Sequence, residues 1–136
     1  MEGNEPERMP IRYERDDARR RVVVTVEGPF AVADFLAVME RQRDDGAWTY
    51  GMLSDLRGMT GEPAIDDLRQ FLSEAARNIQ PRGPIAILAT DPVIYGRACT
   101  YAALVRATLT VGVFHNVDEA EQWLTAQAKP MEKGGA

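Results

Sequence analysis

Few side chains in this sequence could carry out covalent chemistry. There is one histidine, His115, and one cysteine, Cys99, whereas a catalytic nucleophile needs a base within hydrogen-bond reach. Cys99 falls in the middle of a predicted helix, while reactive thiols favour helix N-termini or cationic neighbours, so we interpret it as a small packing residue. Neither serine, Ser54 or Ser73, lies in a Gly-x-Ser-x-Gly nucleophile elbow. We therefore predict that the chain is not an enzyme.

Metal and phosphate sites are also poorly supported. A zinc site needs three or four Cys, His or carboxylate ligands, so one His and one Cys make a weak case. Gly58-Met59-Thr60-Gly61 is too short for a phosphate-cradling loop and indicates a turn instead. The adjacent carboxylates Asp66 and Asp67 would point in different directions on a helix. No cofactor and no metal are expected.

Composition limits the class of partner. The chain has 136 residues, a net charge of −5 and a pI of about 4.9. Nucleic-acid backbones and anionic membrane surfaces attract basic patches, so neither is an expected partner. No apolar run approaches the roughly 20 residues that span a bilayer, and the first ten residues are too polar for a signal peptide. We expect a cytoplasmic protein.

Its length suits a single domain with one core. We expect this domain at residues 11–128, between a flexible arm at 1–10 and a flexible tail at 129–136, because both ends are polar and rich in Pro, Gly and charge.

Hydrophobic spacing predicts a hairpin followed by alternating helices and strands. Ile11 and Tyr13 alternate with charged residues, and a β-branched run at 22–26 ends at Gly28. Apolar residues recur with helical period in four segments, and short apolar runs separate them. The predicted helices cover 31–44, 63–79, 92–107 and a final segment from Val117, and the predicted strands cover 50–56, 85–89 and 109–114.

Two helix starts carry clear local signals. Asp91 can cap a helix with its side chain, and Pro92 suits the first position of that helix. Asn116 followed by Glu119 resembles a capping box. The buried face of the final helix is expected to consist of Val117, Ala120, Trp123 and Leu124.

The order is therefore β-β-α-β-α-β-α-β-α. Strands that alternate with helices imply crossovers and a parallel sheet with helical cover. We predict an α/β fold with a mainly parallel central sheet and an antiparallel edge strand, because the first connection is too short for a crossover helix.

This sequence resembles the STAS domain, the sulphate transporter and anti-sigma-factor antagonist domain, whose fold is usually called SpoIIAA-like. It is more closely similar to small uncharacterised bacterial proteins often labelled STAS/SEC14-like. The resemblance covers about residues 10–127 in element order and rests on Gly28-Pro29-Phe30, Asp55-Leu56-Arg57-Gly58-Met59, and Ala120 with Trp123-Leu124. It implies a non-enzymatic protein that docks to other proteins and, in some branches, senses a small ligand.

The sequence departs from the antagonist branch at the start of the second helix. Antagonists resemble one another in an Asp-Ser-Ser-Gly-type stretch that carries a phosphorylated serine, whereas this chain reads Met59-Thr60-Gly61-Glu62-Pro63-Ala64. Thr60 is the one hydroxyl there, so a phosphorylation switch is not expected. The SEC14 label would imply lipid binding, but its characteristic fold is larger than this chain.

Topology indicates where a binding surface would lie. Ligands of open parallel sheets gather outside the carboxyl ends of the strands. Three loops are expected to meet there and to supply the candidate binding residues Asp55, Arg57, Thr60, Thr90, Asp91, Tyr95, His115 and Asn116.

Arg57 is the preferred contact among these residues, although an ion pair with Asp55 or Asp91 would equally explain it. Asp91 and Asn116 could simply be caps, and His115 could have a surface or capping role.

The leading hypothesis is a regulatory protein-interaction module with an unidentified protein partner. The alternative is a small-ligand or lipid-like sensor, which would need an apolar cavity of several hundred Å³ lined by residues such as Phe30, Phe35 and Tyr101. A homodimer is left open, since Trp48, Tyr50 and Tyr95 need not all be internal.

Overall fold

The computed structural model describes residues 11–29, 31–61, 64, 66–67, 69–70, 73 and 82–128. Five strands and three complete helices lie within these ranges. They are β1 (Ile11–Asp16), β2 (Arg21–Pro29), α1 (Val32–Asp44), β3 (Gly51–Thr60), β4 (Ile85–Leu88), α2 (Pro92–Val105), β5 (Val111–Phe114) and α3 (Val117–Ala128).

Some sequence predictions fall largely outside these ranges. Residues 66, 67, 69, 70 and 73 are helical, but the rest of the predicted helix at 63–79 lies outside the described residues, apart from residue 64. The predicted arm at 1–10 and tail at 129–136 lie outside them as well.

All five strands form one sheet in the order β1-β2-β3-β4-β5. β1 pairs with β2 in antiparallel fashion, and every later pair is parallel. The predicted α/β fold, with a mainly parallel sheet and an antiparallel edge strand, is confirmed.

Helices cover both faces of this sheet. One face carries Val22, Val24, Met52, Ile85 and Ile87, and it packs against Val38 of α1 and against Ile94 and Ala98 of α2. The other face carries Leu53, Ala86 and Leu88, and it packs against Ala120 and Leu124 of α3. All four residues of β4 are buried, as its apolar, non-alternating sequence predicts for a strand covered on both sides.

A buried ion pair attaches α3 to the start of β2. The Arg21 side chain is 6% exposed and donates a hydrogen bond to Glu121 Oε1. Arg19 Nη2 donates to the same oxygen at 2.7 Å. A guanidinium this deeply buried needs a partner, because an unpaired buried charge is strongly destabilising.

The central strand is longer than its sequence predicts. The predicted strand ends at residue 56, whereas β3 continues to Thr60. Its last residues pair with residues 27–29 of β2 after a register shift between Thr25 and Glu27. Gly58 makes this pairing feasible, because a Cβ there would lie 3.0 Å from Glu27 Cγ and 3.1 Å from the Val26 carbonyl oxygen.

The interpretation of Cys99 as a packing residue is wrong. It lies in the middle of α2, as predicted, but on the exposed side of the helix. The inner side of α2 is formed instead by Ile94, Ala98 and Val105.

Replacing Leu88 by alanine should lower the free energy of unfolding by about 2–5 kcal/mol, because the side chain is fully buried in β4 and would leave a cavity. The same substitution at Leu104, which is 51% exposed on α2, should change it by less than about 0.5 kcal/mol. Urea unfolding monitored by circular dichroism measures both values. Equal effects at the two leucines would contradict the described packing.

Candidate functional site

The register of the parallel strands determines which loops meet. Asp55 of β3 is level with Leu88 of β4, and Leu88 is level with Phe114 of β5. Since neighbouring strands are about 4.8 Å apart, the residues that follow β4 and β5 emerge beside the last part of β3. We call this edge the carboxyl rim; it comprises Asp55, Arg57, Thr90, Asp91, Tyr95, His115 and Asn116.

Thr60 does not join this group. It lies five residues beyond Asp55 on β3 and pairs with Pro29, so it is roughly 16 Å further along the strand direction. The expectation that Arg57 and Thr60 belong to a loop is wrong, because both are strand residues. The additional pairing between β2 and β3 accounts for the difference.

Arg57 is held by Asp55. Its Nε donates to Asp55 Oδ1 at 3.0 Å and its Nη2 donates to Oδ2 at 2.9 Å. The two residues are two positions apart on β3, so their side chains share a face. The ion pair, one of the roles that the sequence left open for Arg57, is therefore present.

Asp55 and Arg57 each stabilise the charged form of the other. The hydrogen bond from Arg57 lowers the pKa of Asp55, and the same hydrogen bond raises the pKa of Arg57. The Asp55 side chain is 16% exposed and that of Arg57 is 48% exposed. Asp55 thus orients a guanidinium that remains accessible to an incoming group.

Asp91 and Asn116 are helix caps. Asp91 Oδ1 accepts hydrogen bonds from the amides of Val93 and Ile94 at 2.8 and 3.2 Å. Asn116 Oδ1 accepts from the amide of Glu119 at 3.0 Å. These caps fix the N-termini of α2 and α3 at the carboxyl rim.

Two aromatic rings connect those helix starts. Tyr95, in α2, stacks on His115, which follows β5, with ring centroids 4.0 Å apart and an interplanar angle of 9°. Tyr95 is half-buried and His115 is exposed. The stack gives the carboxyl rim a flat aromatic element.

Sequence reasoning missed two exposed aliphatic residues that border the carboxyl rim. Val93 is 53% exposed and Val117 is 38% exposed. Val117 was expected on the buried face of the final helix, and that expectation is wrong because the first position of α3 precedes the turn that packs on the sheet. The sequence signal for both residues was their position at the start of a helix. Val117 directly follows the cap Asn116, and Val93 follows the cap Asp91 with Pro92 between them.

A cavity of about 120 Å³ lies between the sheet and the helices α1 and α2. Phe35 and Tyr101 line it, as the ligand-sensor alternative expects, while Phe30 lies outside the described residues. This volume is below the several hundred Å³ that the alternative requires. The lining also includes two arginines, Arg82 and Arg97.

Two negative findings concern the described part of the chain. It contains no group of three or more His, Cys, Asp or Glu side chains placed to hold a metal ion. None of its helices is long and apolar enough to cross a bilayer.

Arg57→Gln should raise the pKa of Asp55 towards its usual value, because the two guanidinium hydrogen bonds are lost while the backbone amide of residue 57 still donates to Asp55 Oδ1. Since folding depresses this pKa, Asp55 stabilises the protein above about pH 4, and that contribution disappears as the pH falls through the folded value. We expect the contribution to be below about 1 kcal/mol, because the pair is partly exposed. Carboxyl ¹³C NMR titration measures the shift, and an unchanged Asp55 pKa would contradict the described pair.

Comparison with known proteins gives structural matches only. No family model matches this sequence, and no curated protein matches it. An anti-sigma factor antagonist from Mycobacterium paratuberculosis is similar in structure, with a TM-score of 0.57 and 14% identity over 87% of this chain and 97% of that chain. An uncharacterized DUF3478-family protein with a SpoIIAA-like fold, from Shewanella loihica PV-4, has a TM-score of 0.59 and 15% identity over 84% of this chain and 91% of that chain.

Identities this low support a conclusion about the fold alone. Both matches extend over most of each chain, and the second is described by the fold that the sequence motifs indicated. The resemblance to STAS domains is therefore confirmed at the level of architecture: this chain has a SpoIIAA-like fold.

Proposed function

We propose that this chain is a non-enzymatic regulatory module of the bacterial cytoplasm that binds a protein partner through its carboxyl rim. One of the similar structures is described as an anti-sigma factor antagonist, a name that denotes action on another protein. We carry over only that class of function. The partner and the process that it serves are left open.

The composition of the carboxyl rim carries this proposal. Arginine and aromatic residues are enriched at protein interfaces, and the centres of interfaces are apolar. The carboxyl rim combines the oriented guanidinium of Arg57 with the stacked rings of Tyr95 and His115, and the exposed side chains of Val93 and Val117 border it.

Several side chains of the carboxyl rim are held in place by contacts within the chain. Binding costs free energy when mobile side chains must be immobilised. Arg57 is already held by two hydrogen bonds to Asp55, and His115 is already stacked on Tyr95. A partner that contacts these groups would therefore lose little binding free energy to immobilising them.

Thr60 is not part of the proposed surface. It is exposed at the end of β3, but its distance along the strand separates it from the other candidates. We propose that binding does not depend on its phosphorylation.

Val93→Gln and Arg57→Ala should each reduce recovery of one specific partner about fivefold or more, the loss expected when a contact worth about 1 kcal/mol is removed. Leu104→Gln is the matched control, because Leu104 is as exposed as Val93 but lies near the other end of α2. Affinity capture with quantitative mass spectrometry, on variants with unchanged circular dichroism, makes the comparison. Equal recovery by all variants, or a similar loss with Leu104→Gln, would refute the proposal.

Self-association is a separate way to cover the carboxyl rim. Of the three aromatics considered for it, Trp48 is buried and Tyr50 and Tyr95 are half-buried. Sedimentation velocity of the purified chain tests it: a dimer that Val93→Gln weakens and Leu104→Gln does not would identify a second copy as the occupant.

A further inference from the structure

Arg82 is a half-buried cation with a buried, unsatisfied donor. Its guanidinium lies over the Trp48 ring, with 4.1 Å between Cζ and the ring centroid, and Nη2 is 3.7 Å from Met52 Sδ. Nη1 is buried and has no hydrogen-bond acceptor in the part of the chain that the structure describes. A buried donor without an acceptor costs about 1–3 kcal/mol, so this atom needs an explanation.

The groups around Arg82 do not neutralise it. The pKa of Arg82 is lowered to about 10, chiefly by burial; Tyr101 and Tyr13 act in the opposite direction, and the neighbouring cation Arg43 contributes to the lowering. Arg82 is therefore still protonated at neutral pH. No carboxylate of the described residues contributes to this shift.

Arg82 lines the cavity between the sheet and the helices α1 and α2. The other walls are mostly aliphatic and thioether side chains, among them Val24, Val38, Met52, Ile85, Ile87 and Ala98. Arg97 also lines the cavity but is already engaged in another interaction. The cavity thus has an apolar body and a cationic wall. A bound molecule that complements both would carry one negative charge on an otherwise apolar skeleton.

The volume limits the size of that molecule. The cavity measures about 120 Å³, and an engineered apolar cavity of about 150 Å³ holds benzene. Drug-sized ligands need roughly 300–1,000 Å³. A short branched chain therefore fits the apolar body and a benzene ring is at its upper limit, whereas a long acyl chain does not fit.

We propose that this cavity binds a small apolar monocarboxylate, whose carboxylate pairs with the guanidinium of Arg82. Arginine is well suited to this role because its planar, permanently charged guanidinium matches carboxylate geometry. Arg82 precedes β4 and therefore lies at the edge of the sheet opposite the carboxyl rim. The cavity extends from there towards the last part of β3, where Leu56 and Met59 line it, but it shares no residue with the carboxyl rim.

Benzoate and its neutral isostere benzamide test the charge requirement on the unmodified chain. Isothermal titration calorimetry should show benzoate binding at least tenfold more tightly than benzamide, and benzoate alone should raise the melting temperature, because a ligand that binds the native state stabilises it. Dodecanoate should bind more weakly than benzoate. Equal binding of benzoate and benzamide, preference for dodecanoate, or no benzoate binding at millimolar concentration would overturn the proposal.

Variants locate the site. Arg82→Gln should weaken benzoate binding at least tenfold, whereas Arg12→Gln, at an exposed position on β1, should leave it unchanged. Ala98→Met should weaken it independently by filling the cavity, so the proposal stays testable if Arg82→Gln does not fold. Val93→Gln should bind benzoate normally, which separates this site from the proposed protein interface. Undiminished binding by both Arg82→Gln and Ala98→Met would place benzoate elsewhere.

Discussion

The strand β4 has no polar face, and the rest of the architecture follows from that constraint. Ile85 and Ile87 face one apolar cluster, while Ala86 and Leu88 face the other. A strand of this kind is stable only when both sides of the sheet are covered, which parallel crossovers with helices achieve. Its neighbours β3 and β5 are consequently held in parallel register with it, and their carboxyl ends are brought to one edge.

The key side chains of the two proposed sites lie at opposite edges of this sheet, while the cavity wall extends towards the carboxyl rim at Leu56 and Met59. The carboxyl rim is formed where β3, β4 and β5 end, whereas Arg82 lies just before β4 begins. The helix α2 contributes to both: Tyr95 in its first half belongs to the carboxyl rim, and Ala98 and Tyr101 line the cavity. A short domain can thus present a protein-binding surface and a small-molecule pocket without the two competing for the same side chains.

Local signals in the sequence predicted much of this fold. The hairpin, the order of the elements and the caps Asp91 and Asn116 each depend on residues close in the chain. Two of the misses depend on distant contacts. The last part of β3 pairs with β2 across a register shift, and the Arg82 guanidinium is enclosed by Trp48 and Met52, which are distant in the chain. Nothing in the neighbourhood of Arg82 indicates that its guanidinium is buried.

We propose above that the carboxyl rim contacts a protein partner. Site-specific photo-crosslinking is the most direct test of that contact. A photoreactive amino acid is placed at position 93 or at position 104 of α2, and the cells that normally express the chain are irradiated. If the carboxyl rim is the binding surface, one discrete protein adduct forms from position 93 and none forms from position 104. An adduct from position 104 alone, or the same adduct from both positions, would contradict it.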